Sequence, residues 1–299
     1  MEHVIKHIVI SGGGTAGLSF YGALRETHKE GLWTLDNIAS LHGISIGAFL
    51  CVLLCLNYEW SEIDDFLIKR PWHKVFKFNI YTIMNSFQKR GIYDIQIIEE
   101  TILPLFSGKD VDINVTLREF YERFPFDLHI YATETQSYQL VDFSHKTHPD
   151  WRVIDVIYCS CCVPIVFSPF LCADACYCDG ALCTNYPLKS CIDHGANPDE
   201  ILGIKVQFDH SNQIKMGAES SLFDYIIYLF NKLIENRVIA PVEPPISYQI
   251  IMKSTHVFAY DAYYVLSSPE ERARLIEYGA KHWNNGTLGP NLKTSPTVF

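Results

Sequence analysis

The sequence predicts an α/β fold with a mainly parallel sheet, and three observations carry the prediction. His7 to Ser11 (HIVIS) is a short β-branched run that ends in three glycines, as a buried strand does before a tight turn. After Thr15-Ala16-Gly17-Leu18 the pattern turns helical to about Glu30, with Gly31 as the stop. A second unit of the same form follows. Asn37 to Leu41 reads as a strand, and Ala48 to Leu56 is apolar on every side, as in a helix buried in a core. Strand, tight turn and helix, repeated, is the βα pattern of a parallel sheet. Further strands are expected over Leu128 to Thr133 and Ile201 to Phe208, and an amphipathic helix over Leu222 to Asn236. Pro241, Pro244 and Pro245 break the chain before a strand over Ser247 to Phe258 and a closing helix over Pro269 to Trp283. No internal repeat and no long linker divides the chain, so one domain is expected over residues 1–299.

Composition narrows the function classes. The 299 residues are 48% hydrophobic and 19% charged, enough apolar material for a large core. A formal charge of -10 argues against nucleic acid as a partner, since binding phosphate needs a basic footprint. Met1 to His7 carries no signal-peptide pattern, and the longest apolar run, Ala48 to Leu56, is far short of the roughly 20 residues of a membrane span. A soluble, cytoplasmic protein with no transmembrane segment is expected. Seven of the ten cysteines fall between Cys159 and Cys183. They form no pair of C-x-x-C knuckles and no H-x3-H partner follows, so the cluster reads as small buried apolar residues in a reducing compartment, not as a metal site.

Two glycine motifs carry the chemistry. Gly12, Gly14 and Gly17 satisfy G-x-G-x-x-G between a strand and a helix, which is also the dinucleotide-binding context. That fingerprint wants an acid at the end of the second strand. Here Asp36 precedes the strand, and its far end leads to Gly43-Ile44-Ser45-Ile46-Gly47 instead. G-x-S-x-G is a nucleophile elbow: serine on a strained strand-to-helix turn, with glycines at both flanks (Gly43, Gly47) for close backbone approach. The motifs explain each other if Ser45 attacks an ester and the N–H groups of Gly12, Gly13 and Gly14 hold the oxyanion.

Serine at neutral pH needs a base. The late histidines His194, His210, His256 and His282 stand in no recognisable loop motif. Asp179 lies in Asp179-Gly180-Ala181, shortly before Asn185-Tyr186-Pro187, and after the small-residue run Ser160 to Pro169. With these residues the sequence resembles the patatin-like phospholipases. That family carries a G-G-G-x-[RK]-G loop, a G-x-S-x-G elbow, a P-x-x-F-x-P segment, and D-G-[AG] followed by N-x-P. All four occur in order, at Gly12 to Gly17, Gly43 to Gly47, Pro164 to Pro169 and Asp179 to Pro187, and Phe258 to Gly279 is similar to the family's C-terminal helix region. The resemblance implies a three-layer α/β/α sandwich in a single domain, with catalytic motifs over 8–190 and a C-terminal strand and helix over 246–285. It also implies a Ser-Asp dyad, Ser45 as nucleophile and Asp179 as base, acting without histidine or cofactor. One departure stands out: Ala16 occupies the family's basic position in the glycine loop.

The implied substrate is a phospholipid or another acyl lipid at a membrane or micelle surface. Lys69 to Arg90 holds six Lys or Arg and no acid, interleaved with Trp72, Phe76, Phe78, Tyr81 and Phe87, and is expected to form a cap touching anionic lipid. The competing expectation is a helical hairpin with its aromatics packed inward. Absence of a D-x-D-x-D-G loop predicts no calcium dependence. Two other function classes remain beside the hydrolase: a dinucleotide-binding oxidoreductase, and a catalytically silent lipid-binding module.

Overall fold

The computed structural model describes residues 4–77, 80–208, 243–254 and 260–286, with isolated positions between 217 and 232. The chain opens with β1 (His7–Ile10), α1 (Gly17–Lys29), β2 (Ser40–Ile44) and α2 (Ile46–Cys55). β1 pairs in parallel with β2, with Ile8 opposite Leu41 and Ile10 opposite Gly43. The second strand therefore begins later than the sequence suggests. Leu35–Asn37 closes a 3-10 turn through Ile38 N–H to Leu35 O at 3.0 Å, and strand pairing starts only at Ser40. α2 is buried on every side from Gly47 to Cys55, as its unbroken apolar run requires.

Helices α3 (Trp60–Lys69), α4 (Trp72–Val75) and α5 (Ile80–Lys89) lead to the short strand β3 (Gly91–Tyr93). After α6 (Gln96–Ser107) and α7 (Leu117–Arg123) the chain re-enters the sheet as β4 (Asp127–Glu134) and β5 (Gln139–Phe143). Then come α8 (Val153–Cys161), β6 (Ile165–Phe167), β7 (Phe170–Cys172), β8 (Ala175–Asp179), α9 (Leu188–Asp193), β9 (Ile201–Phe208), β10 (Tyr248–Ser254), α10 (Tyr260–Ser267) and α11 (Pro269–His282). The strand expected over Ser247 to Phe258 is thus β10 up to Ser254; residues 255–259, and most of the helix expected over 222–236, lie outside the described residues.

The main sheet runs β10-β9-β1-β2-β4-β8-β7, with β5 on the other edge of β4. Pairs from β10 to β4 are parallel; β5, β7 and β8 pair antiparallel. Strand alternation divides the side chains between two faces. Ile8, Ile10, Leu41, Ile130 and Leu202 point into the main core beneath α1, α2 and α8. Val9 and Ile201 point the other way, where Leu188 and Cys191 of α9 cover them. This is the central, mostly parallel sheet flanked by helices that the sequence implied. The C-terminal helix returns to the start of the chain: α11 lies along α1, and Ser19 Oγ donates to Leu275 O at 3.0 Å.

Arg272 of α11 is 2% exposed and has no carboxylate partner among the described residues. Its guanidinium donates instead to five carbonyls, Leu67, Ile68 and Arg70 at the end of α3, and Val265 and Leu266 at the end of α10. One buried cation therefore satisfies the terminal acceptors of two helices, where the helix dipole also favours positive charge.

Candidate active site

Strand register brings the two halves of the site together. β2 pairs with one edge of β4 as far as Ile44 opposite Tyr131. β5 occupies the opposite edge, from Ile130 to Glu134. β8 pairs antiparallel with Ala132 to Glu134, with Asp179 opposite Ala132, so it shares the β2 edge and meets β2 end to end. Ser45 follows the last residue of one strand and Asp179 is the last residue of the other. Residues 134 positions apart in sequence are juxtaposed by two hydrogen-bond ladders on a single strand.

Ser45 sits at the start of α2 with φ 56° and ψ -125°, a conformation that costs a non-glycine residue on the order of 1–3 kcal/mol and is held only by its surroundings. The flanking glycines are part of that holding. A Cβ on Gly43 would lie 2.5 Å from Gly47 O, and one on Gly47 would collide with Ile10 O at the end of β1. The elbow is further tied to β4. Ser45 N–H donates to Ser160 Oγ at 2.9 Å, and Ser160 Oγ donates to Tyr131 O at 2.6 Å. Ser160 is fully buried on α8, so this hydroxyl is the strut between the turn and the sheet. The sequence showed Ser160 only as one residue of a small-residue run.

The first glycine loop faces Ser45. A Cβ on Gly12 would lie 3.4 Å from Ser45 Cβ and 2.5 Å from Asn185 Oδ1. Gly12 N–H donates to Asn185 O at 3.0 Å, and Asn185 Nδ2 donates to Gly12 O at 3.2 Å. This corrects the expectation for the three loop donors: Gly12 N–H is already committed, because Asn185 of the N-x-P segment clamps it from both sides. Gly13 and Gly14 N–H have no partner among the described residues, and Gly14 takes φ 54° to turn the loop into α1. A Cβ on Gly17 would strike the Ile46 side chain, so the loop's last glycine lets α1 pack onto the elbow. Asn185 packs directly on Gly12 and occupies its N–H, and the end of β2 leads to Ser45 where a dinucleotide fold carries an acid, so among the described residues the second anchor of a dinucleotide site is missing.

Asp179 is 1% exposed. Burial raises its carboxyl pKa to about 6, opposed by hydrogen bonds that favour the anion, from Ala181 N–H at 2.8 Å and from the Ser45 side chain. Thr133 Oγ1 donates to Asp179 O at 3.0 Å and fixes the end of β8. Cys161, one residue past the strut, lies against both groups: the Ser45 side chain is within hydrogen-bonding reach and the Asp179 charge adds to burial in pushing its thiol pKa well up. A neutral thiol therefore lines the serine.

The late histidines among the described residues bond elsewhere. His194 bonds Ser190 O at 2.6 Å and Asp142 at 3.1 Å, and His282 bonds Tyr278 O at 2.8 Å; His210 and His256 lie outside the described residues. His42, His129 and His194 bring ligand atoms within 4.8 Å of one another on the α9 face of the sheet. Every ring nitrogen there has a protein partner: His42 bonds Ser40 and Tyr131, and His129 bridges Asp127 and Asp142. Burial opposes protonation of His129, but hydrogen bonds and charges from the two carboxylates outweigh it and raise its pKa to about 9. The His42 and His129 rings are parallel within 1° at 4.5 Å, and an ion cannot lie in both ring planes at once. In this arrangement the ring nitrogens of the buried His42 and His129 and of the exposed His194 are all taken up by protein partners, and the stacked rings do not converge on an ion. The cysteine run divides: Cys159, Cys162 and Cys178 are buried as expected of small core residues, with the Cys162 thiol donating to Cys159 O and Tyr177 O, each at 3.3 Å, whereas Cys161, Cys176 and Cys183 are half-buried and Cys172 is exposed at the end of β7.

Comparison with known proteins gives the family and the fold. A protein of Acanthamoeba polyphaga mimivirus, R571, described as uncharacterized, is 22% identical over 261 residues, covering 82% of this chain and 86% of its own. The probable lipid hydrolase 463L of Invertebrate iridescent virus 6 is 24% identical over 191 residues, 63% of this chain and 64% of that protein. Among solved structures, VipD from Legionella pneumophila superposes with a TM-score of 0.56 at 16% identity, covering 95% of this chain and 66% of VipD, and so shares the fold. The chain thus spans just under two thirds of the length of 463L and of VipD. The family model for patatin-like phospholipases matches residues 8–192, from β1 through α9 and so through every motif described above, and the chain belongs to that family.

Proposed function

We infer that the protein is a serine lipid acyl hydrolase of phospholipase A type, with Ser45 as nucleophile and Asp179 as general base. The observation that carries this is the end-to-end meeting of β2 and β8 on β4, which sets a strained serine against a buried carboxylate whose pKa is about 6. At neutral pH that carboxylate is ionised yet far more basic than one in water, as a base for a hydroxyl must be. Ser45 attacks the acyl carbonyl as its proton passes to Asp179. The tetrahedral oxyanion is held by Gly13 and Gly14 N–H, next to the positive end of the helix that follows. Collapse expels the lyso-lipid alcohol, which takes the proton from Asp179, and leaves acyl-Ser45. Asp179 then takes a proton from water as it attacks the ester, and collapse of the second tetrahedral intermediate returns that proton to Ser45 Oγ as the fatty acid leaves. No residue in this sequence of steps needs a metal or cofactor.

The substrate class, a glycerolipid ester at a membrane or micelle surface, is supported by the family and by the name of the viral relative 463L. Among the described residues no helix is long and apolar enough to cross a membrane. All ten cysteines are free thiols, which supports a reducing, cytoplasmic setting. The test is labelling with a fluorophosphonate probe, together with fatty-acid release from phosphatidylcholine vesicles. Wild type should label and release fatty acid, Ser45→Ala should do neither, and Asp179→Asn should lose release while staying folded. Labelling that survives Ser45→Ala would sink the mechanism. A folded, fully active Asp179→Asn would move the base elsewhere.

A further inference from the structure

The basic stretch from Lys69 to Arg90 divides in the folded chain. Lys69 pairs with Asp65 at 2.6 Å and Lys89 with Asp94 at 2.7 Å. Arg70 donates to the carbonyls of Glu100 and Thr101 and lies 4.8 Å from the Trp72 ring, so its charge is spent on tying α3 to α6. Trp72 and Phe76 pack inward, Trp72 against Phe66 and Phe76 against Tyr93. Half of the expected cap is therefore ordinary structure.

The other half faces solvent. Lys74, Lys77 and Arg90 are exposed and have no ion-pair partner among the described residues. Between Lys77 and Arg90, Met84 and Phe87 stand three residues apart on one face of α5, 65% and 87% exposed; Phe87 is the most exposed large apolar side chain of the described residues. An apolar pair flanked by unpaired cations, on a chain of charge -10, is the pattern of a helix that lies in a lipid interface. Its position fits the same use. α5 runs directly into β3, which pairs with β6 with Gly91 opposite Ile165, and Ser168 N–H donates to Tyr93 O at 2.8 Å. The β6 segment follows Ser160 and Cys161, the residues that touch Ser45.

We propose that Met84 and Phe87, flanked in sequence by Lys74, Lys77 and Arg90, dock the protein on an anionic lipid bilayer, on the part of the fold that β3 and β6 tie to the Ser45 elbow. The choice of a bilayer as occupant rests on the lipid-hydrolase reading and on charge complementarity. Phe87 and Met84 enter the headgroup–acyl boundary while the cations meet lipid phosphates. An ester at the surface then reaches the serine without the enzyme leaving the membrane.

The experiment is sedimentation of the full chain with vesicles of phosphatidylcholine alone, or mixed with phosphatidylglycerol, at low and high salt. Hydrolysis of a dissolved short-chain ester is followed in parallel. Wild type should sediment with the anionic vesicles and lose much of that binding at high salt. Lys74→Glu/Lys77→Glu/Arg90→Glu should weaken anionic partitioning on the order of 100-fold, from three lost cation–headgroup attractions. Met84→Ser/Phe87→Ser should weaken it on the order of tenfold or more. Both variants should keep wild-type hydrolysis of the dissolved ester, which also shows that they fold. Variants that bind vesicles as wild type does overturn the proposal. So does a wild type that ignores vesicles but elutes as a dimer that Met84→Ser/Phe87→Ser converts to a monomer, which would assign the face to a second copy. Loss of the Ser45 reading would appear as a wild type inert toward the dissolved ester, and vesicle binding is read independently of it.

Discussion

Asp179→Asn should abolish turnover and, at neutral pH, stabilise the protein. The carboxyl group has a pKa of about 6 in the fold against an ordinary value of 3.8, chiefly because it is buried. A gap of about two pH units corresponds to ~3 kcal/mol of disfavoured ionisation. The sign follows from proton linkage: between those two values the folded protein binds a proton that the unfolded chain does not. Below about pH 4 the group is protonated in both states and carries no penalty. From there the wild type loses stability relative to the asparagine variant as pH rises, and above about pH 6 the full penalty is in place. Asparagine keeps an acceptor for Ala181 N–H and brings no charge. Chemical denaturation of both proteins between pH 5 and 8 should therefore show the variant more stable by ~3 kcal/mol at pH 8 and by roughly half that at pH 5, with Tm higher by several degrees. A variant no more stable than wild type at pH 8, or a difference that does not change with pH, would refute the claim that Asp179 is held ionised against its burial.

The other predictions follow from neighbouring contacts. The kcat/KM of the wild type should rise with pH through about 6 and then level off, since the base must be ionised; a profile still climbing above pH 8 would point to another group. Ser160→Ala leaves the Ser45 N–H buried without its partner, so denaturation should show a loss of ~1–3 kcal/mol, and kcat should fall more than KM changes, with Ser160→Thr restoring part of both. Gly47→Ala forces a methyl group onto Ile10 O and should slow fluorophosphonate labelling sharply, at a stability cost of ~1–3 kcal/mol. Arg272→Met strands five helix-terminal carbonyls, and thermal melts should show a loss of at least ~3 kcal/mol that Arg272→Lys, with a compact ammonium in place of the fork, does not recover.

The sequence by itself determined the local half of this protein. β1, the two glycine turns, α1 and α2 were legible because their signals are short-range: a β-branched run, glycines at fixed offsets, an unbroken apolar helix. Ser45 could be singled out from five consecutive residues for the same reason. The start of β2 was misread because Asn37, read as the first residue of a strand, belongs to a 3-10 turn over 35–37, and pairing begins only at Ser40. Asp179 could be named only through resemblance to a family, since nothing within its own turn refers to a serine 134 positions earlier. What joins them is the sharing of one β4 edge by two strands of opposite direction, and pairing of that kind leaves no period in the sequence. Burial, which raises the carboxyl pKa, is likewise a property of the assembled sheet. The same holds for the Ser160 strut, for Asn185 taking Gly12 out of the set of free donors, and for the division of six cations into three with a partner on the fold and three with no ion-pair partner among the described residues. Hydrogen-bond partners and exposure are fixed by distances between segments far apart in the chain, and only the tertiary structure sets those distances.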